Sequence, residues 1–307
     1  MRVAAVVVNW NGAATLRACL ASLYEQTLLP DRVVLVDNAS SDGSVADAQH
    51  DFPSLTVIGN DVNRGYGYAN NQGIELALDE GAEAVLLVNN DATLDPETTQ
   101  RLVSALERYP STGIVGPRVL LEQDPTRLWS AGGMLTYRQN LTTLVGHRQA
   151  DAERYRRNVT VDYVPGCVML IRREVFAAIG ALEPDYFAYM EDVDYCVRAL
   201  SRGFASRCAG EAKAYHLGSA STGGGYTRCR KYMMGVNSVW FLRRFGCRSQ
   251  WLRFTLFDVL TLPAVFLLEA LRGRGSAALA KAWGIFDGLR GRHVDAETVR
   301  RIAAASR

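Results

Sequence analysis

The strongest constraint on this chain lies in its first hundred residues, where short apolar runs alternate with amphipathic segments. Val3–Val8 contains only valine and alanine. A strand with one wet face alternates apolar and polar residues. An unbroken run instead suits a strand covered on both faces, as parallel strands are. Leu16, Leu20, Leu23 and Tyr24 follow at helical spacing, and Val33–Val36 is a second run closing on Asp37. The pattern predicts a helix over Asp42–His50, a strand over Leu55–Ile58, a helix over Gly67–Glu80 and a strand over Val85–Val88. Pro96 stands near a helix start, and Thr98–Tyr109 completes the unit. This repetition predicts an α/β fold with a doubly wound, mostly parallel central sheet.

In such sheets ligands bind beyond the carboxyl ends of the strands. Asp37 ends the second predicted strand, and Asn89-Asn90-Asp91 ends the fourth. Turn and capping chemistry accounts for Asn38 to Ser44, but not for a charge at Asp37. A carboxylate there is suited to accept a hydrogen bond from a pyrimidine N3–H or a ribose hydroxyl. Asp91, flanked by amides, suits a divalent cation that neutralises a diphosphate. Helix capping is the plainer explanation of a single aspartate.

Farther along, Val164–Ile171 reads as a strand and Asp192–Ser201 as a helix. Tyr189-Met190-Glu191-Asp192-Val193-Asp194 places three acids within four residues. The helix dipole accounts for one or two of them. Glu191 beside Asp192 brings like charges together, which raises a pKa, and Asp192 is the candidate general base for a hydroxyl. His216 precedes a glycine-rich stretch, Ser221–Gly225, expected as a flexible loop. Lone histidines are more often structural, but this one is a candidate to complete a Mn²⁺ or Mg²⁺ shell or to meet a diphosphate.

Several classes are excluded. Gly65-Tyr66-Gly67 is followed by Asn70 where a dinucleotide fingerprint needs glycine, and it does not follow the first strand. There is no Walker A motif, no GxSxG elbow and no HExxH. Asn9-Trp10-Asn11-Gly12 lacks the basic residues of a nucleotidyltransferase triphosphate loop. The six cysteines form no CxxC pair and are expected as buried apolar residues in a reducing compartment. Met1 and Arg2 lead straight into an apolar strand with no small-residue cleavage site, so a cytoplasmic location is expected.

Charge divides the chain. Residues 228–307 carry 15 basic and 5 acidic side chains, against 19 and 27 in residues 1–227. Two regions are therefore expected: a binding and catalytic domain over 1–227, and a helical, basic, membrane-proximal region over 228–307. Within the latter, Phe254–Leu268 is a fifteen-residue apolar stretch interrupted by Asp258 and Pro263. That falls short of the ~20 residues of a membrane span. With Arg248, Arg253, Arg272 and Arg274 around it, an element lying on an anionic leaflet is expected. A buried helix or a dimer contact is the alternative.

Taken in order, these segments resemble the inverting glycosyltransferase family 2 of GT-A fold, and within it the bacterial rhamnosyltransferase-like branch. The segments are Val6–Gly12, Val36–Ser44 (VDNASSDGS), Asn63–Asn71, LLVNNDA around Asp91, Pro165–Phe176, Phe187–Phe204 and Tyr215–Gly223. The resemblance implies a donor-binding set of Asn9, Asp37, Asn38, Asn63, Gly65, Asn70, Asn90 and Asp91. It implies Asp91 and His216 as ligands of Mn²⁺ or Mg²⁺, and Asp192 as base with Glu191 in support. It implies as partners a dTDP- or UDP-linked sugar, a saccharide or lipid-linked acceptor, and peripheral contact with an anionic membrane at its inner face. Nucleic acid is not an expected partner. Two positions depart from the family pattern. Asn89 stands at the first acidic position of the DxD motif, and Val236 precedes Asn237 where an arginine is expected.

Overall fold

The computed structural model describes residues 1–218 and 226–304; the predicted loop Ser221–Gly225 lies outside the described residues. The first half runs β1 (Val3–Asn9), α1 (Leu16–Tyr24), β2 (Arg32–Asp37), α2 (Ser44–Asp51), β3 (Thr56–Gly59), α3 (Tyr66–Asp79), β4 (Ala84–Asn89), β5 (Ala92–Leu94) and α4 (Thr98–Arg108). There follow β6 (Thr112–Leu121), β7 (Asp124–Ser130), the hairpin β8 (Gly133–Leu135) and β9 (Thr142–Leu144), β10 (Val159–Val161), β11 (Val168–Arg172), α5 (Arg173–Ile179), α6 (Glu191–Ser201) and β12 (Ala205–His216). The tail is helical: α7 (Arg228–Phe245), α8 (Arg248–Phe254), α9 (Leu262–Leu271), α10 (Gly275–Leu289) and α11 (Ala296–Ala304).

One sheet has the order β10-β12-β6-β11-β4-β1-β2-β3, with β5 added on β12 and β7 on β6. The four strands β3, β2, β1 and β4 are mutually parallel, while β11 runs antiparallel between β4 and β6. Both faces are covered. Val6 and Val8 join Ile74 of α3 in one core, whereas Val3, Ala5 and Val7 meet Leu16, Leu20 and Leu23 of α1 on the other. The unbroken apolar run in β1 follows from this double coverage.

Differences from the sequence reading have local causes. The strand expected from Val164 begins at Val168. Pro165 has no N–H to give a ladder, and the Gly166 N–H donates instead to Asp192 at 2.9 Å. The helix expected from Asp42 begins at Ser44, because the Asp42 carboxylate accepts from the Ser44 N–H and hydroxyl. Of the six cysteines, all free, four are buried, Cys229 is half-buried and Cys247 is exposed.

The tail departs most. A short π-helical segment joins α8 to α9, so the helical run Arg248–Leu271 has 24 residues and is long and apolar enough to cross a membrane by length and composition. The length argument from the fifteen-residue stretch therefore fails. Pro263 sits in the first turn of α9, where no helical N–H is needed. Asp258 is buried against the Lys281 ammonium of α10. The run is two-faced. Phe254, Asp258 and Glu269 are buried, while Leu252, Leu256, Leu260, Leu267 and Leu271 are exposed along a stripe near four-residue spacing. Val239, Phe241, Phe254 and Ile285 of the tail join the same hydrophobic cluster as Val6 and Met169 of the sheet.

Candidate active site

A cleft of about 990 Å³ opens at the carboxyl ends of β1 and β4. It is walled by the end of β4, the Pro165–Cys167 segment, the Phe187–Asp192 turn, His216 and the start of α7. Of the sequence-identified residues, Asn38, Asn63, Gly65, Asn90, Asp91, Glu191, Asp192 and His216 line it. Asn9, Asp37 and Asn70 are buried outside its wall and act on it indirectly.

Backbone register places the first carboxylate. Ala92 of β5 pairs with His216 of β12, which sets the imidazole beside Asp91. His216 Nε2 lies 3.0 Å from Asp91 Oδ1, both side chains are buried, and Trp129 packs edge-on against the imidazole at 4.5 Å. His216 Nδ1 and Asn89 Oδ1 have no hydrogen-bond partner among the described residues. Among those residues no group of three His, Cys, Asp or Glu side chains converges as a metal cage. A carboxylate, an imidazole and an unpaired amide oxygen do fit a Mn²⁺ or Mg²⁺ that also takes water and substrate phosphate as ligands.

The amide residues brace this corner. Asn9 Oδ1 accepts from Asn90 Nδ2 at 2.8 Å, and Asn9 Nδ2 lies 3.1 Å from Asp37 Oδ1. Gly12 is required here: a Cβ at that position would fall 2.3 Å from Asn9 Oδ1. Asp37 also accepts from the Ser40 N–H and hydroxyl, which closes the turn after β2. Asn38 Nδ2 donates to Gly65 O at 3.0 Å, Asn63 Oδ1 accepts from Gly65 N at 2.9 Å, and Asn70 Nδ2 donates to Tyr66 O at 2.9 Å. Gly65 has φ +90, and a Cβ there would strike the Phe187 carbonyl at 2.5 Å.

Glu191 and Asp192 open α6 on the opposite wall. Asp192 accepts from the Gly166 N–H at 2.9 Å and the Val193 N–H at 2.8 Å. Glu191 is buried, and its Oε2 has no partner among the described residues. Burial, and then the Asp192 charge, push the Glu191 carboxyl well above its usual range. Burial raises Asp192 too, against the pull of those backbone N–H groups. The two carboxyls form one close pair, and Asp192 is the member whose carboxylate is fixed by backbone N–H groups at the cleft.

Residues that sequence reasoning missed hold this wall. Phe187, Tyr189 and Met190 all have positive φ, at 61°, 71° and 77°. Non-glycine residues in such conformations cost about 1–3 kcal/mol each and need external support. Asn237 of α7 supplies it: its Nδ2 lies 2.8–2.9 Å from the carbonyl oxygens of Tyr186, Ala188 and Tyr189. Arg244, also on α7, reaches Asp194 at 3.1 Å and Glu183 at 2.8 Å, and Arg198 meets Asp194 at 2.6 Å. The third acid of the cluster thus ties α6 to the tail and does not face the cleft. Tyr66 OH donates to Gly166 O at 2.7 Å and links the two walls.

Fold and cleft together define a class, a glycosyltransferase of GT-A type. Residues 4–180 match Glycosyl transferase family 2. An N-acetylglucosaminyl-diphospho-decaprenol L-rhamnosyltransferase of Mycobacterium tuberculosis is 31% identical over 238 residues, covering 71% of this chain and 76% of that protein. A dTDP-rhamnosyl transferase of Shigella flexneri is 24% identical over 213 residues, 69% of this chain and 68% of that one. The fold is similar to that of GalNAc-T7 with UDP, GalNAc and Mn²⁺, with a TM-score of 0.59 and 13% identity over 86% of this chain. This chain spans 57% of that structure's length. A mannosyltransferase of Pyrobaculum calidifontis, in complex with GDP-Man and Mn²⁺, superposes with a TM-score of 0.56 and 18% identity, over 99% of this chain and 79% of that one. The chain belongs to glycosyltransferase family 2 and is rhamnosyltransferase-like in sequence.

Proposed function

We propose that this protein transfers a sugar, rhamnose or a similar hexose, from a dTDP- or UDP-linked donor to a hydroxyl of a saccharide or lipid-linked acceptor, with inversion, in cell-envelope or exopolysaccharide synthesis. The observation that carries this reading is the sharing of one cleft by the Asp91–His216 pair and the Glu191–Asp192 pair. Two relatives named as rhamnosyl transferases support the choice of sugar, and one named with dTDP supports the nucleotide.

Asn38, Asn63 and Gly65 line the side where the nucleotide lies, with Asp37 and Asn9 fixing the turn beneath it. Asp91 and His216 would hold a divalent cation, which when bound would supply charge neutralisation for the departing nucleotide diphosphate. Asp192 takes the proton of the acceptor hydroxyl as that oxygen attacks the anomeric carbon from the opposite face. One displacement inverts the configuration. Glu191, buried at the same end of α6, supports Asp192. The exposed leucine stripe of the tail, flanked by arginines, seats the protein on the anionic inner face of the membrane. A binding-only scaffold has no use for a raised carboxylate pair facing the cleft.

The test is a panel of nucleotide sugars with and without Mn²⁺, read by thermal shift and then by transfer with NMR of the product's anomeric proton. We expect one dTDP- or UDP-linked hexose to stabilise the protein only with the metal and to give an inverted product. A retained configuration, or stabilisation by no nucleotide sugar, contradicts the proposal.

A further inference from the structure

Two charged side chains of the tail are buried far from any step of the transfer. Asp258 is 1% exposed and Lys281 3% exposed, and they pair with each other across the junction of α8 and α9 with α10. A buried ion pair is costly unless further hydrogen bonds satisfy both partners. Asn140 supplies one to each. Its N–H donates to Asp258 Oδ2 at 2.9 Å, and its Oδ1 accepts from Lys281 Nζ at 2.8 Å. Asp258 lies in the π-helical segment Thr255–Val259, a distortion that recurs at functional sites.

Asn140 stands 118 residues before Asp258, in the tip of the hairpin β8–β9. That tip is strained. Tyr137, Asn140 and Leu141 have φ of 55°, 57° and 62°, a region that asparagine tolerates and that is costly for tyrosine and leucine. Such a backbone persists only where its surroundings hold it, and here the tail does. Leu141 is buried in the hydrophobic cluster that contains Phe254 of α8, and Arg138 lies 5.0 Å over the Phe257 ring.

The other end of the hairpin reaches the cleft. Thr142 and Leu144 of β9 line it, as does Tyr163. Gly133 of β8 exchanges backbone hydrogen bonds with Tyr163, and a Cβ at Gly133 would fall 2.1 Å from the Tyr163 ring. Tyr163 precedes by three residues Gly166, whose N–H holds Asp192. The acceptor hydroxyl has to approach Asp192, so Thr142, Leu144 and Tyr163 stand on the acceptor's side. Asn38, Asn63 and Gly65, on the nucleotide's side, come from the turns after β2 and β3.

We propose that Asp258 and Lys281 are positioning residues for the acceptor: through Asn140 they hold the β8–β9 hairpin so that Thr142 and Leu144 shape the acceptor side of the cleft. This rests on the glycosyltransferase reading above. It gives the tail a part in acceptor choice that is separate from donor and metal binding.

Hydrogen exchange and kinetics test the proposal together. Asp258→Leu with Lys281→Met removes both charges at once and strands neither, so the variant should fold, as circular dichroism will show. Asn140→Gly keeps the left-handed backbone accessible and removes the contact to Lys281; it carries the test if the double variant does not fold. In both, amide exchange over residues 136–144 should quicken about tenfold or more, while residues 63–71 keep their wild-type protection. Kinetics use dTDP-rhamnose as donor and p-nitrophenyl glycosides of glucose, galactose, mannose and rhamnose as acceptors. Acceptor KM should rise about fivefold or more while donor KM moves less than about twofold. Hydrolysis of the donor by water, which needs no acceptor wall, should keep its rate. Asn140→Asp, which retains an oxygen for Lys281, should stay near wild type. Wild-type exchange over 136–144 in a folded double variant overturns the proposal. So does a donor KM that rises along with the acceptor KM, which would make the pair a general support of the fold. If wild type neither transfers to any glycoside nor hydrolyses the donor, the glycosyltransferase reading fails instead, with the exchange result standing.

Discussion

Asp91 and Asp192 face the same cleft but are placed by different means. Asp91 follows directly from a parallel core strand, and sheet register alone brings His216 to it from 125 residues away. Asp192 follows a turn with three residues in left-handed conformations, held by side chains of the tail helix α7. The first placement uses backbone hydrogen bonds that any strand makes. The second depends on a few side chains, so single substitutions far from the cleft should disturb the base wall and leave the metal wall intact.

The largest effect is expected at Asp91. Asp91→Ala removes the carboxylate beside His216, and transfer should fall about 10³-fold or more, with loss of metal-dependent donor stabilisation in a thermal-shift assay. His216→Ala leaves that carboxylate in place and should cost about 10- to 100-fold, recovered in part by higher metal concentration. If His216→Ala matched Asp91→Ala, the imidazole would be the principal ligand.

Asn237→Ala carries the comparison to the other wall. It takes the side-chain amide away from three carbonyl oxygens of the Tyr186–Tyr189 turn, of which Tyr186 O keeps the Ala188 N–H. We expect kcat to fall about tenfold while the donor KM moves less than about twofold, because the turn orients Asp192 and not the nucleotide. An equal rise in donor KM would mean that both walls share one support. Arg244→Lys, which keeps the charge but changes the guanidinium that meets both Asp194 and Glu183 through Nη1, should act in the same direction more weakly.

pH separates the two walls further. Burial holds Asp192 above the ordinary carboxylate range, so kcat should fall on the acid side at a pH above about 4. The smallest effect concerns stability. A carboxyl whose pKa is raised in the folded state costs stability as pH rises from its unfolded value to the raised one. Glu191 is such a group. Glu191→Gln should therefore flatten the fall of Tm across that interval and leave Tm near pH 4 almost unchanged. An unaltered Tm profile would show that Glu191 is solvated and charged.

The same contrast explains what was legible in the sequence. The β1 and β2 runs, with Asp37 and Asp91 at strand ends, could be read because doubly covered strands impose continuous apolar stretches and ligands gather where they end. The acid cluster at Glu191 was visible as a charge anomaly, but its division of labour was not. Asp194 turns inward to Arg198 and Arg244, a choice made by tertiary contacts 50 residues away. Asn237 stood out only as the neighbour of the missing family arginine, and its hold on the Tyr186–Tyr189 turn was not legible, since a buried amide within a helix reads as any polar residue. Asp37 was read as a ligand contact because a charged strand end looked unexplained, yet its oxygens serve Asn9 and Ser40 within the turn. In the tail, the apolar run was counted as fifteen residues interrupted by Asp258 and Pro263, whereas the helical run is 24 residues long. The partner that permits the helix to continue, Lys281, lies on another helix.

The most direct test of the account is Asp192→Asn, measured for donor binding and for transfer on the same preparation. The substitution keeps the shape and the acceptor oxygen for the Gly166 N–H, and removes the proton-accepting charge. We expect donor affinity within about twofold of wild type and transfer reduced about 10²- to 10⁴-fold. Transfer close to the wild-type rate would contradict the assignment of Asp192 as the base, and with it the claim that the tail-supported wall performs the chemistry.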